Sequence, residues 1–227
     1  MKRIGAVIFD LDNVLYDEGD YVIAAYRKIA SFLSERCSLS EEEICSKLVS
    51  DLRRKGSMYP RLFNDLLAEL KLDQSLVPDL LKLYASATPD LRLFPEAEDA
   101  LRVLREQRIK LGLVTNGNVA IQRNKIRLLK LERCFDAIVY AREVGKADKP
   151  DPEAYRFALE ALGVKPEETI CVGDNPYTDF WGAKKLGIQT VRVCRGEFKD
   201  VRLSEEYEAD ITVRTLSEIC HLIMQTQ

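Results

Sequence analysis

Asp10 and Asp12 follow directly on the apolar run Ile4–Phe9. Two carboxylates this close repel one another unless a cation or a proton sits between them. Three more places put reactive side chains just after an apolar run or just before a helix. Thr115-Asn116-Gly117 closes the run through Val114, and Gly173-Asp174-Asn175 closes the run through Val172, with Asp179 shortly beyond. Lys149-Pro150-Asp151-Pro152 opens a helical segment. The carboxylates of Asp10, Asp12 and Asp174 suit a hard divalent cation that takes oxygen ligands. The hydroxyl of Thr115, the amide of Asn116 and the ammonium of Lys149 suit a phosphate, with backbone N–H groups at a helix start helping. The single histidine, His221, lies near the end of the chain, so a histidine triad or a multi-histidine metal site is excluded. Acid–base chemistry is left to carboxylates, lysine or tyrosine.

These residues need strands to carry them. Residues 3–9 are short, apolar and rich in β-branched side chains, which predicts a fully buried strand. From about Tyr21 to Ala87 the apolar positions recur at helical spacing and no strand signal appears. Ser40 to Glu43 forms a capping box for a helix through about Arg54, and Leu62–Leu72 and Leu76–Ala87 give two more. After Phe94-Pro95 strands and helices alternate. A helix over Glu96–Gln107 leads to a strand at Lys110–Thr115, a helix over Val119–Leu131 and a strand at Ala137–Tyr140. A helix at Pro152–Leu162 has Asp151 as its cap and Pro152 in the first turn. A strand at Thr169–Val172, a helix over Thr178–Leu186, strands at Gln189–Val193 and Ile211–Val213 and a last helix capped by Thr215 and Glu218 complete the chain. Alternating βα units imply an α/β fold: a doubly wound parallel sheet, here with an inserted α-helical domain. The expected division is a core of residues 1–16 and 91–227 and a helical cap of residues 17–90. In such a sheet, ligands bind beyond the carboxyl ends of the strands, where the polar residues above fall.

Composition narrows the class. The chain has 227 residues, 46% hydrophobic and 31% charged, as expected of a soluble globular protein. A net charge of −3 gives no electrostatic case for nucleic acid or an anionic membrane. No apolar run reaches the roughly 20 residues of a membrane span. The cysteines are scattered without a CxxC pair, which excludes a zinc knuckle and points to a reducing, cytoplasmic home.

Four motifs, FDLDNVL (Phe9–Leu15), VTNG (Val114–Gly117), KPDP (Lys149–Pro152) and VGDNPYTDFWGA (Val172–Ala183), occur in the order seen in the haloacid dehalogenase superfamily. The sequence resembles the branch of that superfamily with a helical cap inserted after the first strand, built on a Rossmann-like core. The resemblance implies a Mg²⁺-dependent phosphatase acting on a small phosphate monoester. In it Asp10 is the nucleophile that becomes an aspartyl-phosphate, and Asp12 is general acid and then general base. Metal ligands would be Asp10, the Asp12 backbone carbonyl and Asp174, with Asp179 in support. Thr115, Asn116 and Lys149 would hold the phosphoryl oxygens, and Lys149 would also orient Asp10. The cap would close over the core and contact the leaving group. The implied partner is a small phosphorylated molecule, with neither nucleic acid nor membrane, and the implied state is a monomer or homodimer. Nucleotide monophosphates, sugar phosphates, phosphoglycolate and glyceraldehyde phosphates all satisfy the motifs.

Plainer readings stand beside these. Aspartates end strands as turn residues, Thr115-Asn116-Gly117 makes a strand-to-helix turn with Asn118 as cap, and Asp174 and Asp179 favour a helix start. Asp148 and Asp151 read as loop and cap residues, and Lys146 rivals Lys149 as the phosphate lysine because the loop before KPDP, Gly145 to Lys149, is one residue longer than in the family it resembles. Arg53-Arg54-Lys55 and Tyr59-Pro60-Arg61 form a basic segment that reads either as a contact for an anionic substrate or as a solvated helix end, and Tyr16 and Asp17 fall where a cap hinge would be. Within the superfamily, a 2-haloacid dehalogenase or a phosphonatase would lack Asp12, a phosphomutase would keep it, and a non-catalytic binding protein would have lost one of the charged residues.

Overall fold

A computed structural model describes residues 3–144 and 148–225. Lys146, the rival lysine, lies outside the described residues. The chain forms two compact units, one of residues 1–17 and 92–227 and the other of residues 18–91.

The first unit is built on six parallel strands: β1 (Ala6–Phe9), β2 (Lys110–Thr115), β3 (Ala137–Tyr140), β4 (Thr169–Gly173), β5 (Gln189–Val193) and β6 (Ile211–Val213). Their order across the sheet is β3-β2-β1-β4-β5-β6. The chain reverses its direction of travel across the sheet at β1, so β2 and β4 flank it, with Phe9 opposite Leu113 on one side and Val172 on the other. That register brings the ends of β1, β2 and β4 level, and every residue of β1 and β4 is buried. Ala6, Ile8, Val114 and Cys171 share one core with Ala154, Tyr155, Ala158, Leu159 and Leu162 of the helix Glu153–Leu162. Such continuous apolar strands are what a parallel sheet covered by helices requires.

The helices of this unit are short. Pro95–Glu106 packs against β2 and against the last helix, Leu216–Met224. Val119–Leu128 begins at Asn118, whose side chain accepts from the N–H groups of Ala120 (2.9 Å) and Ile121 (3.4 Å). It stops before the expected Leu131 because Lys130 turns to φ 57° and Leu131 N–H reaches back to Ile126 O. A short helix at Ala141–Val144 was not expected. Pro152 is the N-cap of Glu153–Leu162 rather than its first residue, and Asp151 Oδ1 accepts from Glu153 N–H at 2.9 Å. The helix expected over Thr178–Leu186 is reduced to Trp181–Lys185. Its first part is instead a turn in which Asn175 O accepts from the N–H groups of Thr178 and Asp179.

The second unit contains four α-helices among its described residues: Glu18–Ser34, Glu41–Lys55, Leu62–Glu69 and Val77–Ala85. Their core joins Val22, Tyr26, Ile29 and Leu33 to Ile44, Leu48, Leu66, Leu67 and Leu80. The capping box forms as expected: Ser40 N–H donates to the Glu43 carboxylate at 2.8 Å and Glu43 N–H returns to Ser40 Oγ at 3.3 Å. Of the basic segment, Arg54 pairs with Asp51 at 2.6 Å, and Lys55 bridges Asp51 and Asp65 at 3.1 and 2.8 Å. Both are spent on carboxylates of their own unit.

Candidate active site

Asp10 extends β1 by one residue, its N–H donating to Val172 O at 2.8 Å. This ladder bond delivers its side chain to the carboxyl end of the sheet, where Thr115, Asp174 and Lys149 also arrive. Lys149 is 4% exposed. Its Nζ donates to Asp10 Oδ1 at 2.5 Å and to Asp179 Oδ1 at 2.8 Å. One lysine is therefore shared by two carboxylates.

Lys149 is held through its backbone. The Asn116 side chain spans it, accepting from Lys149 N–H at 2.8 Å and donating to Lys149 O at 3.0 Å. The sequence placed Asn116 against a phosphate. Its carboxamide grips the lysine loop, because the turn after β2 and the loop before Glu153–Leu162 meet at the carboxyl end of the sheet. The backbone N–H of Asn116 is a separate donor. Nearby, Asp148 is gripped by Arg142 through bonds of 2.9, 3.0 and 2.8 Å, in keeping with a loop role.

Asp179 is 1% exposed. Its Oδ2 accepts from the N–H groups of Asp174 (3.1 Å) and Asn175 (2.9 Å), and its Oδ1 accepts from Thr178 Oγ1 (2.9 Å) as well as from Lys149. Gly173 permits this, since a Cβ there would collide with the Asp179 carboxylate. Gly182 plays the matching part behind it, where a Cβ would strike the carbonyl of Pro150. Asp179 thus ties the Asp174 turn to the Lys149 loop.

Oxygen atoms of Asp10, Asp174 and Asp179 lie within 4.8 Å of one another. An all-carboxylate set of this kind fits a hard divalent cation. Because Asp179 already accepts from several donors, it fits the supporting part better than that of a direct ligand.

Asp12 has a different set of partners. Its Oδ1 accepts from Lys125 Nζ at 2.7 Å and from Tyr16 Oη at 2.6 Å, and its Oδ2 accepts from Gln122 Nε2 at 2.8 Å. The same Gln122 amide donates to Thr115 Oγ1 at 2.5 Å. Neither Gln122 nor Lys125 was singled out from the sequence, and Tyr16 was noted only for its place near a hinge. A signal was present. Gln122 and Lys125 are one turn apart and in phase with the buried Ile126 and Leu129, so two polar side chains occupy the inward stripe of the helix Val119–Leu128.

The two acids respond oppositely. Burial pushes Asp10 up to about 7, against the pull of Lys149 and with added repulsion from Asp179 and Asp12. Burial also acts on Asp12, yet the charge of Lys125 and the hydrogen bonds from Lys125, Tyr16 and Gln122 outweigh it and hold the carboxyl below its usual range. Burial tends to discharge Lys149, but Asp10 and Asp179 prevail and keep it charged.

The model of one protein family, haloacid dehalogenase-like hydrolase, matches residues 7–193. The chain belongs to this family. Among its relatives, a glyceraldehyde 3-phosphate phosphatase of Methanocaldococcus jannaschii is 31% identical over 224 residues, covering 97% of each chain. A glyceraldehyde 3-phosphate phosphatase of Methanopyrus kandleri is 35% identical over 206 residues, covering 87% of each. The crystal structure of a phosphatase of the same family from Thermococcus onnurineus superposes with a TM-score of 0.69 at 28% identity, covering 97% of this chain and 98% of that one.

Proposed function

We propose that the protein is a Mg²⁺-dependent phosphatase that hydrolyses a small phosphate monoester through an aspartyl-phosphate on Asp10. The observation that carries this is the arrangement at the ends of β1, β2 and β4. A carboxylate nucleophile beside a shared lysine, a carboxylate cluster suited to a cation and a separately held second acid stand around one point.

Phosphoryl transfer asks a protein mainly for in-line positioning and for neutralised charge. Asp10 attacks phosphorus and the ester oxygen departs, taking a proton from Asp12. Water then attacks the same phosphorus, giving its proton to Asp12 as the Asp10–phosphorus bond breaks. Lys149 neutralises phosphoryl charge and fixes Asp10, while Thr115 and the Asn116 backbone N–H bind phosphoryl oxygens. Mg²⁺ would be held by Asp10, the Asp12 carbonyl and Asp174, with Asp179 supporting, and it would offset the negative charge of the phosphoryl group and the aspartates. The presence of Asp12 favours ester hydrolysis over dehalogenation, which expels a halide and needs no acid.

The relatives named above make glyceraldehyde 3-phosphate the first ester to test. Further parts of this reading are a cytoplasmic home, no nucleic-acid or membrane partner, and a monomeric or homodimeric state. No helix among the described residues is long and apolar enough to cross a membrane. The test is a phosphate-release screen over phosphometabolites with Mg²⁺, with and without chelator. One ester far above the rest in kcat/KM, silent with chelator, is the expected result. Silence on every ester overturns the reading, and transfer of phosphate between positions of one sugar would replace it with a mutase.

A further inference from the structure

We propose that Lys125 and Gln122, with Tyr16, form a clasp that positions Asp12 for proton transfer to the leaving group, and that Oδ2 is the oxygen that carries the proton. The inference rests on the phosphatase reading and adds to it residues outside the four motifs.

Lys125 and Gln122 are each 3% exposed. A lysine and a carboxamide on the buried stripe of a helix are costly unless their polar ends are satisfied. Both reach the same carboxylate. Oδ1 of Asp12 takes two of the three donors, the ammonium of Lys125 and the hydroxyl of Tyr16, whereas Oδ2 takes the Gln122 amide. A carboxylate oxygen offers about two lone-pair sites, so the two donors fill Oδ1 while Oδ2 keeps a site for a proton. Donors on both oxygens also fix the plane of the carboxyl group, which a single contact would leave free to rotate.

Gln122 gives the clasp its second function. Its other N–H occupies a lone pair of Thr115 Oγ1. The Thr115 hydroxyl donates over 3.5 Å to Asn116 O, a long bond that it can exchange for one to a phosphoryl oxygen, and one amide sets the spacing between the group that binds phosphate and the group that protonates the departing oxygen. The clasp holds Asp12 ionised at rest, so Oδ2 takes its proton from the ester bound as its monoanion; in the first half-reaction that proton passes to the ester oxygen as the phosphorus–oxygen bond breaks and the bond to Asp10 forms. In the second, Oδ2 takes a proton from the attacking water as the Asp10–phosphorus bond breaks. Nothing beyond water and the ester is consumed. Misplacement of the acid by an ångström is enough to cost orders of magnitude.

An alkyl phosphate needs this proton because its leaving alkoxide is strongly basic. A 4-nitrophenyl phosphate hardly needs it. The value of kcat/KM reports the half-reaction that expels the leaving group, so the two esters separate positioning of the acid from a general loss of folded protein. With Mg²⁺, Lys125→Met is expected to lower kcat/KM about 100-fold on the best alkyl phosphate and less than about 3-fold on 4-nitrophenyl phosphate, with Lys125→Arg recovering about 10-fold on the alkyl ester. Should Lys125→Met fail to fold, Tyr16→Phe, which deletes one hydroxyl, must show the same selective loss on a smaller scale. An equal loss on both esters, or no loss on the alkyl ester, overturns the clasp while the wild-type protein still turns over both. A wild-type protein inactive on both classes of ester overturns the phosphatase reading and the clasp together.

Discussion

Two lysine–aspartate pairs sit in the same site, and burial leads them to opposite ends. Lys149 is divided between Asp10 and Asp179, and Asp10 is left with its carboxyl pushed up to about 7. Lys125 stands beside Asp12 together with two neutral donors, and that carboxyl is held below its usual range. Both lysines are almost fully buried, so exposure of the cation does not explain the difference. What differs is the ratio of positive to negative groups and the number of neutral donors. One cation among several carboxylates leaves charge to be balanced by a further cation, which is what a metal site needs. One cation with two neutral donors balances a single carboxylate without one.

The comparison can be broken most severely at the nucleophile. Asp10→Asn should reduce kcat by at least about 10⁴-fold with an unchanged far-ultraviolet circular dichroism spectrum. Turnover that persists, once mass spectrometry has excluded deamidation, would remove Asp10 from the role given it. Lys149→Met comes next. It strips the shared cation from two buried carboxylates, and it should cost about 3–5 kcal/mol of stability in urea unfolding as well as most of the activity. A variant as stable as the wild type would mean that Asp10 and Asp179 do not depend on Lys149 for balance.

The smallest effect is one of pH. Without metal, folded Asp10 titrates near 7 while the unfolded chain releases that proton near 3.8. Between these values the folded protein holds the extra proton, so this group's contribution to stability falls as pH rises and is fully lost above about 7. Asp12 acts in the other sense, since its lowered carboxyl contributes stability that is lost only as pH falls through its folded value. Asp10→Asn should therefore gain on the wild type by about 1–3 kcal/mol between pH 5 and pH 8 in chelator, and Mg²⁺ should shrink the gain. A gap that does not move with pH would place Asp10 with Asp12 as a fully balanced acid.

Much of this was legible beforehand. The strands carrying Asp10, Thr115 and Asp174 were readable because short apolar runs ending in turn residues have few other folded solutions. Helix starts at Ser40 and Thr215 were readable because capping is local chemistry. The helix after Asp174 was overextended, because the side chain of Asp179 turns back to bind the N–H groups of Asp174 and Asn175, and no periodicity encodes that choice. The carboxamide of Asn116 holds the Lys149 loop, a partner 33 residues away that no local pattern announces.

By itself, then, the sequence determined which residue types stand at the ends of which strands, because strand length, helix phase and turn chemistry are properties of neighbours along the chain. The tertiary structure decided who is paired with whom. Asp12 and Lys125 are 113 positions apart and meet only because β2 is laid beside β1 and the helix after it turns its polar stripe inward. Charge balance depends on distance in space and on the exclusion of water, and both are settled only when the sheet is assembled.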